Sequence, residues 1–207
     1  MDYAVEAARQ SLALIGAAPD DETGGSVLLL GPSEPGFWPA FTAAPEYTDG
    51  WPDPLDRYSK RLIGALAARW GGTPAFPSDG PPFAPFIAWA LASGRVWASP
   101  VGLLVHDLQG LWLSFRGAVR LPARLNLPPG KNPCDTCAGQ PCRSACPAAA
   151  LTPEGYDVAA CHAYLDAPAG ADCLTRGCAA RRACPVGVQY GRSEDQSRFH
   201  MKAFHPT

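Results

Sequence analysis

The chain reads as an α/β domain over residues 1–130, followed by a small α+β domain over residues 131–207. Three observations predict this. Amphipathic segments alternate with short apolar runs through the first 130 residues. A Pro/Gly-rich stretch from Leu121 to Asn132 then interrupts the pattern. All eight cysteines fall after it, between Cys134 and Cys184.

Taken in order, residues 2–15 predict an amphipathic helix, with Val5, Ala8, Leu12 and Ile15 near helical spacing and Gly16 as its stop. Ser26 to Leu30 predicts a short buried strand that ends at Gly31-Pro32, and Phe37 to Ala44 a second helix. Asp53-Pro54 starts a longer helix, with a side-chain cap and then proline in the first turn. It runs to Gly71-Gly72 with Leu55, Tyr58, Leu62, Leu66 and Trp70 on one face. Arg57, Lys60, Arg61 and Arg69 lie mostly off that face and read as solvated charge; contact with an anionic cofactor or partner is the alternative. Thr73 to Phe76 predicts a strand. A helix follows from Pro82 to Ser93, with Phe83, Phe86 and Trp89 as a core-facing stripe. Val101 to His106 and Leu111 to Val119 predict a hairpin turned by Asp107-Leu108-Gln109-Gly110. Beyond the linker, Tyr156 to Leu165 predicts a short helix carrying Cys161. Ser193 caps a last helix whose His200, like the following His205, reads as a surface residue.

The cysteines carry the chemistry. Their spacing is Cys134-x2-Cys137-x4-Cys142-x3-Cys146-Pro147, then Cys161, then Cys173-x4-Cys178-x5-Cys184-Pro185. Three closely spaced thiolates let one loop wrap three corners of a [4Fe–4S] cube, and the fourth must come from elsewhere. The first run resembles that of bacterial two-cluster ferredoxins, C-x2-C-x2-C-x3-C-P, with two extra residues before Cys142. There the fourth cysteine serves the other cluster. The crossed assignment that follows gives one cluster Cys134, Cys137, Cys142 and Cys184, and the other Cys146, Cys161, Cys173 and Cys178. Structural zinc and disulfides compete with this reading. Zinc ribbons favour paired knuckles and have no use for a repeated Cys-Pro. Disulfides suit a secreted chain, whereas MDYAVEAARQ has neither the basic nor the apolar region of an export signal.

Composition narrows the classes further. A formal charge of −2 gives no general attraction to nucleic acid or to an anionic membrane. No apolar run approaches the roughly 18 residues of a membrane span. A reducing cytoplasm is the expected compartment. The chain has no P-loop, G-x-G-x-x-G loop or tidy Ser/His/Asp set, so hydrolase, kinase and dinucleotide readings lack footing.

The run VWASPVGLLVHDLQGLWLSFRGAVRLP, followed by CDTCAGQPCRSACPAAAL, resembles the middle of epoxyqueuosine reductases, cobalamin-dependent enzymes with a C-terminal pair of [4Fe–4S] clusters. The hairpin with His106-Asp107, Gly110, Trp112 and Arg116-Gly117 is also similar to the CblC cobalamin-processing proteins, as is the helix DPLDRYSKRLIGALAAR. The resemblance covers residues 50–190 and implies a reduced nitroreductase-like α/β domain before a bacterial two-cluster ferredoxin-like one. It also implies a corrinoid flanked by the hairpin, with His106, Ser114 and Arg116 as polar contacts. The reductases carry an acidic proton donor in an Asp-x-Ala-Pro segment; Pro82-Phe83-Ala84-Pro85 stands there instead, so epoxyqueuosine reduction is not expected.

The expectation is therefore a redox protein that receives single electrons from a partner protein and passes them through two clusters to an acceptor, a corrinoid by the resemblance. An electron carrier that docks a partner enzyme without cobalamin is the alternative, and a zinc-stabilised interaction protein a third. Arg143, Arg176, Arg181 and Arg182, set among the cysteines, are expected to raise cluster potentials unless they serve solubility alone.

Overall fold

The computed structural model describes residues 2–152 and 154–206, which fall into two compact units of mixed α/β structure. The first takes the chain as far as Val96 and then Ser114–Lys131; the second takes Trp97–Leu113 and the chain from Asn132 onward. The short segment 97–113 joins the cysteine-bearing unit.

The first unit is built on strands β1 (Leu12–Pro19), β2 (Ser26–Pro32), β3 (Thr73–Ala75) and β6 (Gly117–Leu121), in the order β1-β2-β6-β3. Each pairing is antiparallel, so the alternation of helix and strand along the chain does not produce parallel crossovers here. Val27, Leu28, Leu29 and Leu30 of β2 have no solvent exposure. Successive side chains of a strand point to opposite faces, so both faces of β2 are covered. Helix α1 (Tyr3–Ala8) packs on β1, α4 (Pro54–Trp70) on β6 and β3, and α5 (Phe86–Ala92) on β1 and β2. Helices α2 (Phe37–Thr42) and α3 (Pro45–Thr48) bring Phe37, Phe41 and Tyr47 into an aromatic cluster with Tyr58 of α4.

Several expectations are corrected. The helix expected over 2–15 ends at Ala8, because Ser11 is left-handed (φ 55°) and the chain continues as β1. A bulge between Leu14 and Gly16 breaks the two-residue alternation. Leu12 and Ile15 are both buried for that reason, at a spacing that imitates a helix. Gly16 is no stop; a Cβ there would lie 2.7 Å from that of Ser93. Asp53 precedes α4 as expected, but it is left-handed (φ 53°) and caps only through its carbonyl, which accepts from the Arg57 N–H. The face of α4 is buried as read. Its basic residues are exposed or half-exposed as read, and Arg57, Lys60, Arg61 and Arg69 pair there with Asp49, Asp79, Glu46 and Glu6. The helix expected from Pro82 begins only at Phe86, since a residue before proline, here Ala84, is disfavoured from helical geometry. Phe86 is buried and Trp89 half-buried, while Phe83 is exposed.

The expected hairpin is split. Its first half, β5 (Leu104–His106), pairs instead with β4 (Val96–Ala98) and closes a single bridge from His106 to Gly110. Its second half is shortened to β6, which joins the sheet of the first unit between β2 and β3. Leu111, Trp112 and Leu113 are all buried, so this stretch lacks the exposed alternate face of a strand.

In the second unit, β7 (Leu151–Thr152) and β8 (Gly155–Tyr156) pair, and α6 (Val158–Asp166) follows with Asp157 as its cap. Helices α7 (Ala171–Arg176), α8 (Ala179–Arg182) and α9 (Pro185–Gln189) carry or adjoin the later cysteines. Helix α10 (Glu194–Phe204), capped by the Ser193 hydroxyl as expected, packs on α7. No helix among the described residues is long and apolar enough to cross a membrane.

Candidate metal centre

All eight cysteines are free thiols in the second unit. Cys134 lies in a short 3-10 turn, Pro133–Thr136, held by the Asn132 side chain, which accepts from the Cys134 N–H at 3.0 Å. Cys142 lies in a second such turn, Pro141–Arg143. Cys184 arrives from far along the chain at the cap of α9. Pro185 occupies the first helical position there, where a missing N–H costs nothing. Cys134, Cys137, Cys142 and Cys184 line one cavity of about 350 Å³.

The rest of that cavity is mostly apolar, with Ser99, Thr136 and Gln140 as its polar lining. Val101, Val105 and Leu111 form a buried cluster with Cys142 and Cys184, and Val186 packs against it. Segment 97–113 is therefore a wall of the first cysteine site. Gly110 is the tightest point of that wall. It is left-handed (φ 57°), and a Cβ there would stand 2.5 Å from the Gly187 nitrogen and 2.8 Å from the Cys184 Sγ. Arg181 Nη1 donates to the Leu111 carbonyl at 2.7 Å and ties the wall to α8.

The other four cysteines come from four places. Cys146 precedes Pro147 in a turn closed by the Ala149 N–H on the Cys146 carbonyl at 3.1 Å. Cys161 lies in α6, Cys173 in α7, and Cys178 at the cap of α8. Burial pushes the thiols of Cys134, Cys142, Cys161 and Cys173 up, and neighbouring sulfur charge pushes them further. Cys134 is raised by Cys142, Cys184 and Cys137; Cys142 by Cys184 and Cys137. Cys161 is raised by Cys178 and Cys146, and Cys173 by Cys178. Cys134, Cys137, Cys142 and Cys184 thus influence one another, while Cys178 acts on Cys161 and Cys173, and Cys146 acts on Cys161. Thiolates that line one cavity repel one another, and a cationic core that replaced their protons would relieve that repulsion. Among the described residues, no group of three or more His, Cys, Asp or Glu side chains is placed to hold a single metal ion.

The arginines among the cysteines differ in their engagements. Arg176 pairs with Asp172 and Glu194, Arg182 pairs with Asp172, and Arg143 bonds the Gln140 side chain. Arg181 makes no ion pair among the described residues; burial lowers its pKa, while Cys178 and Tyr156 raise it. Tyr156 lies at the end of β8, and partial burial, with the Cys161 sulfur after it, raises its pKa. Its ring stacks on Phe204 at 6.3 Å.

The residues expected around a corrinoid are divided between the two units. His106 is buried at 2 % exposure in the second unit. Its Nδ1 accepts from the Leu108 and Gln109 N–H groups, and its Nε2 lies 3.1 Å from Asp107. Ser114 and Arg116 belong to the first unit. Arg116 bonds the Phe115 carbonyl and faces Asp56 at 3.7 Å; burial lowers its pKa. His205, expected at the surface, is buried at 8 % exposure between Asp166 and His162. His200 is half-buried.

One feature escaped the sequence reading: the wall formed by segment 97–113. The three consecutive apolar residues Leu111-Trp112-Leu113 are the one signal for it. Compared with known proteins, the chain matches no family model, no curated protein and no solved structure.

Proposed function

We propose that the second unit holds two [4Fe–4S] clusters and that the protein is a single-electron carrier between a partner protein and an acceptor. The observation that carries this is the shared cavity of Cys134, Cys137, Cys142 and Cys184. A single zinc would draw its four sulfurs to within about 4 Å of one another, whereas these surround an open space. The thiol chemistry, the count of eight and the two sets all suit cubes. When bound, such clusters supply one-electron exchange. The chain's own part is to fix the thiolates, to exclude water from the first site with Val105, Leu111 and Val186, and to set the polarity around the second. A two-cluster ferredoxin-like second unit, a reduced nitroreductase-like first unit and a cytoplasmic location belong to this proposal.

A corrinoid acceptor fits less well. The His106 ring is engaged within its own turn, and Arg116 by Asp56. The carrier reading is the better supported one.

Anaerobic purification with metal and sulfide analysis tests the proposal. Iron and acid-labile sulfide near the roughly eight per chain of two cubes are expected; about two zinc and no sulfide would overturn it. Added cobalamin should leave the visible spectrum of the mixture equal to the sum of its parts.

A further inference from the structure

No cysteine lies beyond Cys184, yet the chain after it reaches back to two helices that carry them. Helix α10 packs on α7, the helix of Cys173. At the end of α10 the buried His205 has both ring nitrogens taken by α6, the helix of Cys161. Its Nε2 lies 2.9 Å from Asp166 Oδ1, and its Nδ1 meets Nδ1 of His162. His162 and Asp166 stand four residues apart on α6 and so share one face. The His162 ring also packs on Phe204, with centroids 4.6 Å apart.

The direction of these bonds follows from their chemistry. A carboxylate only accepts, so His205 Nε2 carries the hydrogen of the bond to Asp166. With both rings neutral, His205 Nδ1 then offers a lone pair, and the His162 Nδ1–H donates to it. The bonds run one way, from His162 through His205 to Asp166. Groups one step removed from a metal ligand fix how that ligand points. We propose that His205 is a positioning residue for Cys161. By fastening α6 to the end of α10, which also seats α7, it holds Cys161 and Cys173 in one frame. This rests on the cluster reading above, in which the two share a cluster.

The test measures iron and acid-labile sulfide on the anaerobically purified full chain, with EPR of the dithionite-reduced protein. His205→Phe keeps an aromatic ring in place and removes both bonds. It should retain about four iron per chain and lose the EPR broadening that two neighbouring reduced clusters impose on each other. Adding Cys161→Ser to it should cost no further iron, whereas adding Cys134→Ser should leave almost none. Asp166 is exposed, so its replacement tests one bond without disturbing the interior. Asp166→Asn, whose carbonyl still accepts, should keep full iron, and Asp166→Leu should fall toward the His205→Phe level. Absence of iron and sulfide from the unmodified chain would sink the cluster reading itself. Full iron in His205→Phe, loss of both clusters together, or equal iron in Asp166→Asn and Asp166→Leu would overturn the positioning role while leaving the clusters of the unmodified chain in place.

Discussion

Gly110→Ala is the smallest change that should reach the first cysteine site from outside the cysteine sequence. An alanine at φ 57° costs roughly 1–2 kcal/mol in backbone strain. Its Cβ would stand 2.5 Å from the Gly187 nitrogen and 2.8 Å from the Cys184 Sγ, both well inside contact distance. The first of these is backbone, so α9 must move, and such overpacking costs about 1–3 kcal/mol more. The total of roughly 2–5 kcal/mol is a large share of the 5–15 kcal/mol or so that holds a domain together. Because Cys184 caps α9, the shift displaces one corner of one site only. The expected result is about half the iron of the unmodified chain, with the Cys146 set retained, and a melting temperature lowered by on the order of 5–15 °C. Full iron with unchanged melting would refute the reasoning, since it would mean that the wall does not press on Cys184.

The crossed wiring can be read from pairs of substitutions. Cys134→Ser with Cys184→Ser should leave about four iron per chain, no fewer than either alone, whereas Cys134→Ser with Cys146→Ser should leave almost none; iron analysis decides, and the reverse pattern would exclude this assignment. Asp20 is buried and held by Arg120, whose hydrogen bond lowers its pKa from 3.8 to about 2. A depressed folded-state value stabilises fully above the unfolded value, so this contribution is lost as pH falls from about 4 to about 2. Asp20→Asn should flatten acid unfolding in that window, and an unaltered acid limb would count against it. Gln196 is fully buried, and among the described residues neither of its side-chain polar atoms has a partner. Gln196→Leu should stabilise the cluster-free chain by about 1–3 kcal/mol in urea unfolding; destabilisation would show that the amide has a partner.

What the sequence made legible follows physical range. Helix α4 was readable from its apolar face and from Pro54 and Gly71, all local signals. Strand β2 was readable because four consecutive leucine and valine residues have few other places to go. The sets of cysteines could be proposed because thiolate spacing is constrained by the size of what it wraps. The misreadings arise where tertiary contact decides. Leu12 and Ile15 match a helix only because a bulge shifts the strand's phase. Segment 97–113 was read with the hairpin because the alternation on either side of Gly110 is a local pattern; which unit buries Leu111 depends on Cys142 and Cys184, far along the chain. His205 is buried through Asp166 and His162, again distant partners.

The return of the chain through Trp97–Leu113 has a bearing on how the protein can be divided. A fragment starting at Asn132 would keep every cysteine, yet its first cage would lack the panel formed by Val101, Val105 and Leu111. Oxygen and water would enter there first. The cysteine half is thus no detachable cassette: its shield is encoded ahead of it, so a ribosome must finish both pieces before the cage can close.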